Sequence, residues 1–184
     1  MKTTFVTIII LAIALFFACK KEKEEKYWPL GNNWKGPQTY GKVQALRNGE
    51  FWEASGSASQ VPYPTCGIIF RTFDPIDSVY TENLSFYRAP YTEGLFTVDH
   101  LHLSANDSLR SLYVLLYDDL AGPFFHPDTT KNNWIWIESV DTVQKIIKGK
   151  FDVTYRIDPS DVGNTNYPPE VHFSEGVFEV KVHQ

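Results

Sequence analysis

The sequence predicts an all-β domain, an antiparallel β-sandwich of roughly eight or nine strands, preceded by a lipoprotein signal and a tether. From residue 40 onward, apolar and polar side chains alternate with a dominant period of two. Short β-prone runs are separated by Gly, Pro and Asn, and outside residues 108–120 no long stretch keeps the helical period of 3.6. A closed barrel is the second choice, because both architectures are built from strands of this kind.

The first element is an apolar run of 14 residues, from Phe5 to Ala18, which follows the basic residue Lys2. A bilayer span needs about 20 residues, so a run of this length fits the apolar core of a secretory signal. Ala18 is followed directly by Cys19 and then by the charged segment KKEKEEK. This order resembles a bacterial lipobox, which implies that residues 1–18 are removed and that Cys19 is acylated, so that the lipid holds the protein on a membrane.

Two details of the N-terminal segment leave alternatives open. Phe16 and Phe17 occupy positions where a lipobox has Leu and a small residue. Residues 12–14 (Ala-Ile-Ala) form an A-x-A site for ordinary secretion, and an uncleaved anchor is the other alternative. The lipoprotein interpretation is favoured, and it places the protein in the cell envelope, at the outer membrane on its periplasmic or cell-surface side.

The predicted domain organisation has three parts: a lipoprotein signal at 1–18, the lipidated Cys19 with a flexible tether at 19–40, and the β-sandwich at 41–184. The tether carries charges, Pro and Gly without a sustained period. The whole chain has 17 basic and 22 acidic side chains, a net charge of −5. A protein that binds a phosphate backbone needs a clustered cationic surface, so nucleic acid is not an expected partner. The expected partner is the membrane, through the lipid on Cys19.

Turn residues locate the first strands. Asn48-Gly49 predicts a hairpin, because a type I′ turn requires positive φ at both central residues. The pattern of segment 108–120 (SLRSLYVLLYDDL) is compatible with a helix capped by Ser108 or with a strand, and its β-prone residues favour the strand. Further strands are predicted at 67–73, 84–88, 96–103, 112–117, 134–139, 145–157 and 177–182.

Four short motifs follow one another along the predicted domain: V-x-A-x-x-N-G-x-x-W at 43–52, G-L-F at 94–96, G-K-F-D-V at 149–153 and S-E-G-V-F-E-V at 174–180. Their order resembles a family of small uncharacterised envelope lipoproteins of the Bacteroidetes type, over most of residues 43–182. The resemblance implies a β-sandwich domain of unknown function. It carries over no catalytic residue, because its motifs consist of turn glycines and core aromatics.

His100 and His102 form an H-x-H motif in a predicted strand, and a period of two places both imidazoles on one face. A metal centre uses this geometry, although Leu101 and Leu103 are the inward residues of the alternation, which predicts solvent-facing imidazoles. A third ligand would have to come from His126, His172, Asp99 or Asp128. The motif supports an alternative function, a metal-dependent hydrolase.

Trp134 and Trp136 alternate with Ile135 and Ile137, so one pair faces the core and the other faces outward. Packing of the tryptophans in the core is the favoured orientation. In the other orientation, two indoles about 7 Å apart would form a stacking platform for a sugar or a peptide. The remaining candidates for a binding surface are aromatic as well: Tyr87, Tyr91, Phe124 and Phe125.

Two long connections, 120–133 and 158–170, are rich in Gly, Pro and Asn, and loops of this kind commonly carry binding sites. The second contains oxygen ligands that would suit Ca²⁺, although a plain turn-rich loop is the favoured interpretation: Asp158, Asp161, Asn164 and Asn166. Motifs for nucleophilic, zinc-dependent or nucleotide chemistry do not occur. We therefore expect a non-enzymatic binding or accessory module without a cofactor, whose partner is a glycan, a peptide or an envelope protein.

Overall fold

The computed structural model describes residues 41–60, 64–73, 80–100, 108–117, 120–160 and 167–183. Within these ranges the regular secondary structure is β-strand, which confirms the all-β class. The predicted signal and tether, with Cys19, lie outside the described residues. The described ranges contain no helix with the length and apolar character that a bilayer crossing requires.

The described chain forms eleven strands: β1 (Gly41–Arg47), β2 (Glu50–Gln60), β3 (Thr65–Phe73), β4 (Tyr80–Pro90), β5 (Gly94–Thr97), β6 (Asp99–His100), β7 (Arg110–Tyr117), β8 (Leu120–Pro127), β9 (Trp134–Asp141), β10 (Ile146–Ile157) and β11 (Glu170–His183). The β1–β2 hairpin is confirmed, since Asn48 and Gly49 have φ angles of 52° and 83°. The segment 108–120 contains β7, so its interpretation as a strand is also confirmed.

Strand pairing closes the sheet into a barrel and does not divide it into two layers. Eight antiparallel strands form the ring in the order β1-β2-β3-β4-β7-β8-β10-β11, and β11 pairs with β1 to complete it. The prediction of a β-sandwich is therefore wrong. Residue alternation is the same in both architectures, and the difference lies in long-range pairs such as Val43 opposite Phe178, which join the first strand to the last.

The wall between β7 and β10 changes along its length. β8 pairs with residues 155–157 of β10, whereas β9 pairs with residues 146–152 on the same edge. β5 pairs with β9 and β6 pairs with β7, so residues 94–100 join these two strands. At one end of the barrel, β8 alone therefore lies between β7 and β10. At the other end, β9 and residues 94–100 lie between them.

Asn133 lies at the junction where the pairing partner of β10 changes from β9 to β8. Its side chain is buried, its Oδ1 accepts a hydrogen bond from the Thr154 N–H at 2.9 Å, and its Nδ2 donates to the Asp128 carbonyl at 2.8 Å. The Val98 N–H donates to the Asn133 carbonyl at 3.0 Å. The amide side chain thus replaces ladder bonds that the backbone cannot make here, since buried backbone groups require partners. Thr154, which alternation predicts as outward, is buried at this junction.

Aromatic side chains pack the barrel interior. The ring of Phe151 lies 5.5 Å from Phe70, 5.6 Å from Phe86 and 6.4 Å from Phe178, measured between centroids. It also covers Gly176, where a Cβ would approach the ring to 2.5 Å. Other large side chains that are fully buried include Tyr113, Tyr155, Phe125 and Phe173. Such a close-packed core gives the barrel a rigid wall.

An ion pair joins the end of β1 to β4. Arg47 contacts the Glu82 carboxylate, whose second oxygen accepts a hydrogen bond from Trp52 Nε1 at 2.7 Å. Burial raises the pKa of the neighbouring Tyr113 hydroxyl, and the charge of Glu82 raises it further. Because each charge and the indole N–H have partners, this cluster serves to hold the end of the barrel together.

Candidate functional site

β9 separates its two residue types onto opposite faces. Ile135 and Ile137 are fully buried in the barrel, whereas 43% of Trp136 is exposed and Trp134 is half-buried. The expectation that the tryptophans pack in the core is therefore wrong. The isoleucines take the interior positions, and the alternation of the strand then places both indoles on the outer surface.

Trp136 lies in a row of outward-facing residues that crosses three strands. Leu95 on β5 and Lys150 on β10 are its direct cross-strand neighbours, and 68% of Leu95 is exposed. The ammonium nitrogen of Lys150 lies 5.4 Å from the centroid of the indole and 3.1 Å from a carboxylate oxygen of Glu138. A cation at this distance from an indole is favourable and restricts the orientation of the lysine.

Trp134 lies in the next row, between Thr97 on β5 and Asp152 on β10. The Asp152 carboxylate contacts His172 Nε2 at 2.9 Å. The two rows together form a surface that we call the β9 face, made of Leu95, Thr97, Trp134, Trp136, Lys150 and Asp152. Chemically, this face offers apolar indole rings flanked by hydrogen-bonding groups, which suits a ligand of mixed polarity.

Gly149 holds β9 close to β10 directly beneath the β9 face. A Cβ at this position would lie 2.2 Å from the backbone carbonyl oxygen of Trp136 and 2.7 Å from the ring of Phe178. Because one of these obstacles is backbone, a larger residue would displace β9 itself. The glycine therefore connects the packing of the interior with the position of the exposed indole.

A cleft of about 550 Å³ continues the β9 face toward the turn between β9 and β10. Lys148 pairs across strands with Ser139 and, on the other side, with Glu179, whose carboxylate lies 2.8 Å from the lysine ammonium. Lys148 precedes Lys150 by two residues, so both lie on the outer surface. The lining of the cleft is mainly polar and consists of Ser139, Val140, Asp141, Thr142, Gln144, Ile146, Lys148 and Glu179.

The two predicted tyrosines do not join the β9 face. Tyr87 is exposed on β4, and β7 and residues 94–100 separate that strand from β9. Tyr91 follows β4 and packs partly buried against the core. Burial raises the pKa of its hydroxyl, and the nearby Cys66 and Asp141 raise it further. Of the aromatic residues that the sequence analysis grouped together, Tyr87 therefore lies apart from the tryptophans, whereas Tyr91 lies near Asp141 at the end of β9.

Of the predicted pair His100 and His102, only His100 lies within the described residues. His100 in β6 is half-buried and its ring stacks on His126, with 4.2 Å between centroids, while His102 lies outside the described residues. His126 Nε2 in turn lies 3.1 Å from the Asp158 carboxylate. Over the described ranges, no group of three His, Cys, Asp or Glu is placed to hold a metal ion. The metal-dependent hydrolase remains a prediction.

The two predicted loops differ from expectation in different ways. β8 occupies Leu120–Pro127, so the long loop expected at 120–133 is wrong and only a short connection links β8 to β9. In the second loop, Asp158 accepts hydrogen bonds from Ser160, and these lower the pKa of its carboxyl. The other oxygen ligands proposed there for Ca²⁺ lie outside the described residues: Asp161, Asn164 and Asn166.

Sequence reasoning missed Leu95, Lys150 and Asp152 as parts of the candidate site. Alternation alone marks Lys150 and Asp152 as outward, but only the cross-strand register places them beside the tryptophans. No protein-family model, curated protein or solved structure matches this chain. Function is therefore inferred from the geometry of the β9 face.

Proposed function

We propose that the protein is a lipid-anchored, non-enzymatic binding module of the cell envelope and that the β9 face contacts its ligand. One observation carries the proposal: Trp136 and Leu95 form a cross-strand pair of large apolar side chains on the outer surface, 43% and 68% exposed. Exposed apolar side chains that stand singly are ordinary on a protein surface, whereas adjoining ones commonly mark interaction sites.

The packed interior supports an external site. Aromatic rings occupy the centre of the barrel, with Phe70, Phe151 and Phe178 in mutual contact, so the wall rather than the lumen is available to a ligand. The expected lipid on Cys19 would confine this wall to the envelope. Confinement raises the effective concentration of the β9 face for a partner fixed in the same envelope.

Sedimentation with envelope fragments tests the binding proposal. The full-length protein and its variants, all carrying Cys19→Ala so that the proposed lipid cannot insert into the membranes, are mixed with envelope fragments from the native host, and the fraction that sediments is measured. We expect Trp136→Ala to reduce the sedimenting fraction several-fold, while Phe51→Ala, which removes an exposed aromatic from β2, leaves it unchanged. Equal sedimentation of wild type and Trp136→Ala would exclude the β9 face as the contact.

Metabolic labelling tests the anchor separately. Cells of the native host that express the protein are fed radiolabelled palmitate, and the protein is isolated and counted. We expect label in the wild type and none in Cys19→Ala, since the thiol of that residue would accept the lipid. Absence of label from the wild type would overturn the lipid-anchored part of the proposal.

A further inference from the structure

We infer that the ligand of the β9 face is an uncharged, extended glycan whose chain runs along β9 from the tryptophan pair into the cleft at the β9–β10 turn. This inference rests on the proposed binding function and specifies its ligand. It is carried by three features: the succession of rows on the outer surface, the pairing of the lysines in those rows with carboxylates, and the polar lining of the cleft.

The rows follow one another along β9, with a register shift at Glu138 between the second row and the third. Starting from the pair Trp134 and Asp152, the next outward pair along the two strands is Trp136 and Lys150, followed by Ser139 and Lys148 and then by Asp141 and Ile146. The last two pairs line the cleft. From Trp134 to Asp141 the strand extends about 23 Å at a rise of about 3.3 Å per residue. A ligand that uses both the indoles and the cleft is therefore a chain and not a single small molecule.

Both lysines on this surface are paired with carboxylates. Lys150 contacts Glu138 at 3.1 Å, and Lys148 contacts Glu179 at 2.8 Å. Carboxylates consequently stand beside both ammonium groups that an anionic ligand would need. A polyanion would meet these carboxylates, whereas an uncharged ligand disturbs no ion pair and still finds hydrogen-bond donors and acceptors along the rim.

The order of apolar and polar side chains along β9 favours a sugar chain over a peptide. A sugar ring has an apolar C–H face that stacks on an indole and hydroxyl groups at its edge that reach polar side chains. Here the apolar planes of Trp134 and Trp136 are followed along β9 by the hydroxyl of Ser139 and the carboxylate of Asp141. A basic peptide is the competing ligand, because it would be attracted to the carboxylates, and the experiment includes it.

The test measures binding of the full-length protein, in detergent, to defined polymers by affinity gel electrophoresis. The neutral probes are laminarin, dextran, mannan, xyloglucan and galactomannan, the anionic probes are polygalacturonate and heparin, and the peptide probe is polylysine. We expect at least one neutral polymer to retard the protein. Trp136→Ala should weaken that retardation about tenfold, and Phe51→Ala should not change it.

A second measurement separates the cleft from the platform. For the neutral polymer that binds, isothermal titration compares its disaccharide with its hexasaccharide. We expect the hexasaccharide to bind about tenfold more tightly, and the double variant Lys148→Ala/Glu179→Ala to lose this gain while it binds the disaccharide like the wild type. Equal affinities of the two oligosaccharides for the wild type would overturn the extended chain.

The outcomes distinguish this inference from the proposed function. Binding of heparin, polygalacturonate or polylysine that depends on Trp136, without binding of any neutral polymer, overturns the neutral glycan and leaves the β9 face as a binding site. Binding of a neutral polymer that is equally strong in Trp136→Ala overturns the location. Failure of every polymer to bind overturns the glycan, and the sedimentation experiment then decides the proposed function independently.

Discussion

The barrel interior and the β9 face are both built on aromatic residues, but their rings have different surroundings. Phe151 is fully buried and contacts three other phenylalanine rings. Trp136 is 43% exposed, with an aliphatic and a cationic neighbour, Leu95 and Lys150. Buried aromatic surface stabilises the fold, whereas exposed aromatic surface contributes little to it. The two regions should therefore respond in opposite ways when stability and binding are measured on the same variants.

The largest effect on stability is expected in the interior. Phe151→Ala removes a ring that touches Phe70, Phe86 and Phe178 and that covers Gly176. We expect the free energy of unfolding to fall by about 3–5 kcal/mol, because a large cavity remains in a close-packed core. Urea unfolding followed by tryptophan fluorescence measures it. A loss similar to that of Phe51→Ala would contradict the packed interior.

Gly149→Ala is expected to affect both regions, because this glycine lies between Phe178 inside and the Trp136 backbone. A methyl group there would require β9 to move, and we expect a loss of about 1–3 kcal/mol. Binding to envelope fragments should weaken in the same variant. Urea unfolding and sedimentation check the two effects, and unchanged binding in a destabilised protein would show that the β9 face tolerates displacement.

Asn133→Leu tests whether the junction beneath the β9 face needs a polar side chain. The substitution leaves the Thr154 N–H and the Asp128 carbonyl without the amide that bonds them. We expect a loss of about 2 kcal/mol, measured by urea unfolding, since a buried unpaired backbone group is costly. Asn132→Leu, at an exposed neighbouring position, is the control and should lie close to wild type.

Acid should weaken the same junction through Asp128. Burial raises the pKa of this carboxyl, but hydrogen bonds from Thr130 and the charge of Arg156 outweigh burial and lower the pKa below its ordinary value. A lowered pKa in the folded state means that the stabilisation is present above about pH 4 and is lost as the pH falls further. We expect Asp128→Asn to lose less stability than wild type between about pH 5 and about pH 3. Glu93→Gln should behave like wild type in the same urea titrations.

The smallest effect on stability is expected on the β9 face. Trp136→Ala should change the free energy of unfolding by no more than about 1 kcal/mol, because 43% of the residue is already exposed and its remaining contacts are those of a cross-strand pair on the surface. The same variant should show the loss of binding described above. A large destabilisation measured by urea unfolding would mean that the indole serves the fold, and the contrast between the two regions would disappear.

Much of the fold could be predicted from local patterns. The Asn48-Gly49 turn and the inward residues of β10 and β11, among them Phe151 and Phe178, follow from turn chemistry and alternation. Closure of the barrel and the orientation of β9 could not be predicted, because they depend on pairing between strands far apart in the chain. A pattern such as Trp-Ile-Trp-Ile is symmetric: each residue type is apolar enough for the core, and only the neighbouring strands decide between them.

The sequence by itself determined that the described part of the chain is built of strands, where the first hairpin turns and which residues of the last strands face the core, because these depend on contacts between near neighbours. Only the tertiary structure decided that β11 returns to β1 and that Leu95, Trp136 and Lys150 form one row. The physical reason is that register between distant strands is set by packing of the whole barrel, and a shift of one residue would reverse every side chain.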